Sequence, residues 1–115
     1  MITGIHHFSI IVSSESSIAF YERLGFKESN RITRDYDTVV LLEGFGLELV
    51  MFIDPNHPKR HSDSECIGIR NLSLKVDDIQ RISKEFECGP VMEDWFGKKY
   101  CVTTDPDGLP IEFHE

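Results

Sequence analysis

The segment Gly4-Ile5-His6-His7-Phe8-Ser9-Ile10-Ile11-Val12 has an echo 64 residues later, Gly68-Ile69-Arg70-Asn71-Leu72-Ser73-Leu74-Lys75-Val76. Both open on glycine and both place apolar residues at alternate positions, the period of a strand. Sliding residues 1–51 onto 65–115 without a gap leaves nine positions identical: Gly4/Gly68, Ile5/Ile69, Ser9/Ser73, Val12/Val76, Ile18/Ile82, Gly25/Gly89, Tyr36/Tyr100, Gly44/Gly108 and Glu48/Glu112. Ordinary residue frequencies give about three such matches by chance. The matches fall on turn glycines and alternating strand positions, as an internal duplication requires. Between the copies lies the polar, proline-rich run Asp54-Pro55-Asn56-His57-Pro58-Lys59-Arg60, which reads as a linker. The expected organisation is one domain over 1–115, with module 1 at 1–53, a linker at 54–65 and module 2 at 66–115.

Working outward, each copy reads as strand, helix, then three strands. In the first copy, Ser13-Ser14-Glu15 offers helix N-cap chemistry. Ile18, Phe20, Tyr21 and Leu24 recur at helical spacing, and Gly25 sits where a C-cap glycine belongs. Strand-like segments follow at about 27–34, 38–43 and 47–53, turning near Asp35-Tyr36-Asp37 and Gly44-Phe45-Gly46. In the second copy, Asp77-Asp78 opens a helix running to about Phe86, with Gly89-Pro90 expected to end it. Thr104-Asp105-Pro106-Asp107-Gly108 is a turn, and 109–114 a last strand. One half of this size buries too little surface to be stable alone, so the halves are expected to pair.

Composition narrows the function. The chain has 115 residues and a formal net charge of -8, with 40% hydrophobic and 28% charged residues, an ordinary globular mix. An acidic surface repels phosphate backbones, which argues against a nucleic-acid partner. No apolar run approaches the roughly 20 residues that cross a membrane, so no membrane partner is expected. The segment Met1 to His7 lacks the basic and apolar regions of a signal peptide. Three irregularly spaced cysteines (Cys66, Cys88, Cys101) do not form a disulfide framework. They are expected to be reduced thiols in a cytoplasmic protein, Cys101 buried and inert.

Alternation puts Phe8, Ile10 and Val12 on one face of the first strand and His7, Ser9 and Ile11 on the other. The copy sets Leu72, Leu74 and Val76 against Asn71, Ser73 and Lys75. Glu48 interrupts the apolar run Leu47-Glu48-Leu49-Val50-Met51-Phe52, and Glu112 interrupts Leu109-Pro110-Ile111-Glu112-Phe113. A carboxylate in such a run either faces water or has a buried partner. His7 precedes Glu48 by 41 residues, and Asn71 precedes Glu112 by the same interval. The duplication therefore maps His7 onto Asn71 and Glu48 onto Glu112. If the halves are related by a pseudo-twofold axis, the four converge as a ligand set for a divalent metal. The alternative is that Glu48 and Glu112 face solvent and His7 is an ordinary surface or core imidazole.

At this point the chain resembles the glyoxalase, bleomycin-resistance and extradiol-dioxygenase group, the vicinal oxygen chelate superfamily. The resemblance spans essentially the whole chain. Its carriers are Ile5 to Val12, Phe20-Tyr21-Glu22-Arg23-Leu24-Gly25-Phe26, Leu72-Ser73-Leu74-Lys75-Val76-Asp77-Asp78-Ile79 and the closing Asp105-Pro106-Asp107-Gly108-Leu109-Pro110-Ile111-Glu112. It looks most like small bacterial lactoylglutathione-lyase-like proteins. The resemblance implies an α+β fold of two βαβββ modules in a cupped mixed β-sheet with helices outside. It implies metal ligands at His7, Glu48, Asn71 and Glu112, and Glu112 and Glu48 as catalytic carboxylates, with Glu112 favoured as base. Asn71 departs from the pattern, since relatives commonly carry His there. His6, on the opposite face by alternation, and His114 are not counted among the ligands.

The implied activity is that of a metal-dependent lyase or isomerase of glyoxalase I type. Its substrate would be a small oxygen-chelating molecule such as an α-ketoaldehyde–thiol hemithioacetal. The implied cofactor is a divalent metal (Zn, Ni, Co, Mn or Fe), with a thiol as further co-substrate. The metal acts as Lewis acid while a carboxylate carries a proton between adjacent carbons. The alternative is a metal-free small-molecule binding protein of bleomycin-resistance type. A homodimer is implied by family. Arg34, Lys98 and Lys99 are candidate contacts for an anionic substrate, and Trp95 and Phe96 candidate walls of an apolar pocket. His57 and His61 read as surface groups.

Overall fold

Two copies of one local pattern produce two copies of one sheet in the computed structural model of this chain, which describes residues 1–61, 63 and 65–115. Positions 62 and 64 of the expected linker lie outside the described residues. The chain divides into two compact units, Met1–Lys59 and Arg60–Glu115.

The first unit contains β1 (Phe8–Val12), α1 (Glu15–Arg23), β2 (Glu28–Thr33), β3 (Asp37–Leu42) and β4 (Leu47–Phe52). Its sheet has the order β1-β4-β3-β2, with β1 parallel to β4 and the other pairs antiparallel. A parallel pair cannot be closed by a tight turn; the helix and two strands between β1 and β4 supply the connection. Ile10 and Val12 of β1 point into the core with Ile18, Tyr21, Val40, Leu42, Leu47 and Leu49. Phe8, expected beside them, is 41% exposed, and Ile11 on the other face is exposed as well. The ladder begins at Phe8, whose N–H donates to the Gly46 carbonyl (2.7 Å), so strand alternation does not extend back through residues 5–7.

Helix α1 ends as the sequence predicts. Gly25 is left-handed (φ +102°). Its N–H donates to the Glu22 carbonyl (2.9 Å), and the Phe26 N–H reaches back to the Tyr21 carbonyl (3.2 Å), a Schellman closure. Ser14 occupies the N-cap position, but its hydroxyl meets that of Ser16 (2.7 Å) rather than capping the helix.

The second unit contains β5 (Leu72–Lys75), α2 (Ile79–Glu85), β6 (Met92–Glu93), β7 (Lys99–Thr104) and β8 (Pro110–His114), and its sheet repeats the order as β5-β8-β7-β6. Asp78 caps α2 through its side chain, accepting from the Arg81 N–H (3.0 Å). Phe86 follows the helix onto the sheet, its ring 5.6 Å from that of Phe113, in a core with Ile79, Cys101, Leu109 and Ile111. The ending of this helix departs from expectation. Glu87, not Gly89, takes the left-handed conformation (φ +50°), and the Cys88 N–H closes the turn on the Ser83 carbonyl (2.9 Å). The helix stops two residues early in the aligned copy, and the Gly89 N–H is used instead on the Val102 carbonyl of β7 (3.0 Å).

The turn before β8 is organised by Asp105, which is buried. Its carboxylate accepts from the N–H groups of Asp107 and Leu109 (both 2.9 Å), while Gly108 is left-handed (φ +90°). This aspartate turn sets where β8, and with it Glu112, begins. The architecture is α+β, two four-stranded mixed sheets each carrying one helix, built by the duplicated strand–helix–three-strand pattern. No helix among the described residues is long and apolar enough to cross a membrane.

Candidate functional site

In the first unit, strand register makes Ser9 and Glu48 neighbours across the parallel β1–β4 pair. The Ser9 hydroxyl donates to Glu48 Oε1. His7, one residue before β1, brings its Nε2 to 3.5 Å from the same oxygen. The side chain of His7 is 45% exposed and that of Glu48 21%, so the imidazole is open to solvent and the carboxylate half-buried. Behind it, His7 Nδ1 lies 2.8 Å from His6 Nδ1, and the two rings meet edge to face. His6 is therefore beside His7 rather than across the sheet from it, because neither residue belongs to the ladder. An Nε2–H would point its positive end at Glu48, whereas an Nε2 lone pair there suits a cation between the two.

Gly46 holds this segment in place. It is left-handed (φ +65°), and a Cβ there would lie 2.7 Å from the His6 carbonyl oxygen and 3.3 Å from His7 Cα. Only glycine allows the loop before β4 to pass so close to the backbone that presents His7.

The second unit repeats the arrangement. Ser73 and Glu112 are register neighbours across the parallel β5–β8 pair, and the Ser73 hydroxyl donates to Glu112 Oε2 (2.7 Å). Asn71, half-buried, stands one residue before β5 as His7 stands before β1. Each unit thus has a carboxylate on its fourth strand held by a serine on its first, preceded by an imidazole in one case and an amide in the other. Neutral imidazole nitrogen and carboxylate oxygen are the donors a borderline divalent cation takes. Among the described residues, no three His, Cys, Asp or Glu side chains are grouped so as to hold a metal ion.

An arginine sits in the field of each carboxylate. Arg34 grips the buried Asp37 with two bonds, Nε to Oδ1 and Nη2 to Oδ2, both 2.6 Å. Its guanidinium carbon lies 4.7 Å from the Tyr36 ring centroid. The Asp37 contact foremost raises the Arg34 pKa, with Glu48 adding to it from further away; Asp37 in turn is held below the ordinary carboxylate range by Arg34. Arg70 pairs with Glu65 (2.7 Å), which foremost raises its pKa, and Glu112 adds to this at longer range.

The remaining candidates are engaged elsewhere or open. His114 Nε2 pairs with Asp94 Oδ2 at 3.0 Å and its ring stacks on Tyr100. Its pKa is raised, first by its bond to the Glu115 carbonyl and then by Asp94. Asp94 also accepts from the N–H groups of Phe96 (2.8 Å) and Lys98 (2.9 Å), shaping the loop before β7. Trp95 and Phe96 are almost fully exposed. Phe52 stacks on His57 (4.1 Å), and His61 accepts from the Asp63 N–H. Cys101 is buried, and burial with the Cys101 contact pushes the Cys88 thiol up to about 12, which disfavours its thiolate. Sequence reasoning did not pair Ser9 with Glu48 or Ser73 with Glu112, and did not see the close approach at Gly46. The signal was present: both serines and both glutamates are among the nine identities, at one common spacing of 39 residues.

The chain is similar to known proteins over its full length. The model of the Glyoxalase/Bleomycin resistance protein/Dioxygenase superfamily matches residues 4–113. The uncharacterized protein YwkD of Bacillus subtilis (strain 168) is 34% identical, covering 100% of this chain and 98% of its own. The crystal structure of a glyoxalase family protein from Enterococcus faecalis superposes with a TM-score of 0.79 at 36% identity, covering 98% of both chains. The trypanothione-dependent glyoxalase I of Leishmania major superposes with a TM-score of 0.70 at 26% identity, covering 99% of this chain and 87% of that one.

Proposed function

The chain belongs to the Glyoxalase/Bleomycin resistance protein/Dioxygenase superfamily, and from that premise we propose that it is a divalent-metal-dependent lyase or isomerase of glyoxalase type. The proposed substrate is a small molecule with adjacent oxygen donors, such as an α-ketoaldehyde–thiol hemithioacetal, with the thiol as co-substrate. The observation that carries this reading is the duplicated serine–glutamate pair, with His7 beside the first carboxylate. Two partly buried carboxylates at equivalent positions, each tied to a serine on the neighbouring strand, are not apolar packing groups.

We assign His7, Glu48, Asn71 and Glu112 as the residues that would hold the metal. A metal bound there supplies Lewis-acid polarisation of the substrate oxygens. The protein's own groups do the rest. His7 offers Nε2, its other nitrogen being directed to His6. Glu112 is the proposed general base: Oε2 takes the Ser73 hydroxyl, which leaves Oε1 to accept a proton from the carbon beside the carbonyl and return it to the neighbouring carbon. Glu48 is the second carboxylate of the set. Arg34, fixed through Nε and Nη2, keeps Nη1 for an anionic part of the substrate. A homodimer in the cytoplasm is the proposed working form.

Asn71 favours a second reading, a metal-free protein that sequesters a small molecule, because a neutral amide stands where the other unit has imidazole. Elemental analysis of protein purified without a metal-binding tag separates the two. Near-stoichiometric Zn, Ni, Co, Mn or Fe in wild type, lost in Glu112→Ala, is the expected result. Wild type that stays metal-free after metal is added back overturns the enzyme reading in favour of binding.

A further inference from the structure

We propose that Ser9 and Ser73 are positioning residues: each holds the glutamate across from it in one orientation, leaving Glu48 Oε2 and Glu112 Oε1 as the working oxygens. The inference rests on the metal-dependent reading above and deepens it.

A serine hydroxyl on an exposed strand position can be satisfied by water, and a glutamate with three free torsions ordinarily samples many rotamers. Here both glutamates are instead tied, each by one hydroxyl, to the residue that sits beside it in the parallel ladder. The tie is made twice, once in each sheet, between residues the duplication has left identical. Each tie occupies one oxygen of its carboxylate. A bond to a charged acceptor is among the stronger hydrogen bonds, and it orients as well as stabilises. A carboxylate so held presents its second oxygen in a fixed direction, which is what a single-oxygen metal ligand or a proton-carrying base needs. The Ser9 hydroxyl is what occupies Glu48 Oε1; His7 Nε2 lies near the same oxygen, at 3.5 Å.

The test uses the full-length chain with Ser9→Ala, Ser73→Ala and the hydroxyl-preserving Ser9→Thr and Ser73→Thr. Amide spectra report folding, which is expected to persist because both serines are exposed. Two readouts follow. In metal-free protein at fixed pH, the side-chain carboxyl carbon resonance of Glu48 moves in Ser9→Ala and that of Glu112 in Ser73→Ala; each returns with threonine. In titrations with Zn²⁺ or Ni²⁺ against a competing chelator, each alanine variant binds about 10- to 100-fold more weakly, and threonine restores most of the loss. Unmoved resonances overturn the hydrogen bonds themselves. Wild-type metal binding that the alanine variants match overturns the positioning role and leaves the metal reading standing. Wild type that binds neither metal overturns both.

Discussion

Replacing Gly46 with alanine tests how His7 is held. Two costs follow from the structure. At φ +65° an alanine pays the left-handed penalty of L-residues, about 1–2 kcal/mol. Its Cβ would also stand 2.7 Å from the His6 carbonyl oxygen and 3.3 Å from His7 Cα, both backbone atoms that cannot swing aside. Forcing that much overlap costs typically about 1–3 kcal/mol, and relief comes by pushing the His6–His7 segment off the sheet. The expected destabilisation is therefore about 2–5 kcal/mol. Gly44→Ala is the matched control, since Gly44 is also left-handed (φ +78°) but a Cβ there meets nothing within 4 Å. It should cost only the first part, about 1–2 kcal/mol. Urea unfolding followed by far-UV circular dichroism gives the difference between the variants. Amide exchange at Phe8, whose N–H is bonded to the Gly46 carbonyl at 2.7 Å, gives the local effect. Exchange should quicken in Gly46→Ala well beyond Gly44→Ala. Equal stability and equal Phe8 exchange in the two variants would refute the close approach as the device that places His7.

Glu87→Gly should stabilise the second unit by about 1 kcal/mol, because glycine adopts the left-handed conformation that Glu87 now pays for; a midpoint in urea that falls instead would mean the side chain earns its place. Asp37, held below its ordinary pKa of 3.8 by Arg34, contributes stability that is present above that value and is lost as pH falls through its lower folded-state pKa. Acid titration of stability should therefore be shallower in Asp37→Asn than in wild type below about pH 4, and parallel curves would show that Asp37 is not the group responsible.

The amino-acid sequence determined the elements and their repetition. The period-two runs and helical spacing are local signals, and they placed strands 38–43 and 47–53 and the glycine closure at Gly25 within a residue or two of where they lie. The 64-residue offset carried the order of elements from one unit to the other. It failed where equivalent positions meet different neighbours. Gly89 aligns with Gly25, yet its N–H is spent on Val102, and Glu87 takes the helix-ending conformation. It failed again at Ile5 to His7, where strand alternation was extended past the first ladder bond and put His6 on the wrong side. Tertiary structure alone decided which oxygens of Glu48 and Glu112 are engaged. That depends on the register of β1 against β4 and of β5 against β8, partners 39 residues apart. Register across so long a connection is set by the packing of everything between the two strands. Side-chain periodicity can say that a serine and a glutamate share a face, but only the assembled sheet puts one beside the other.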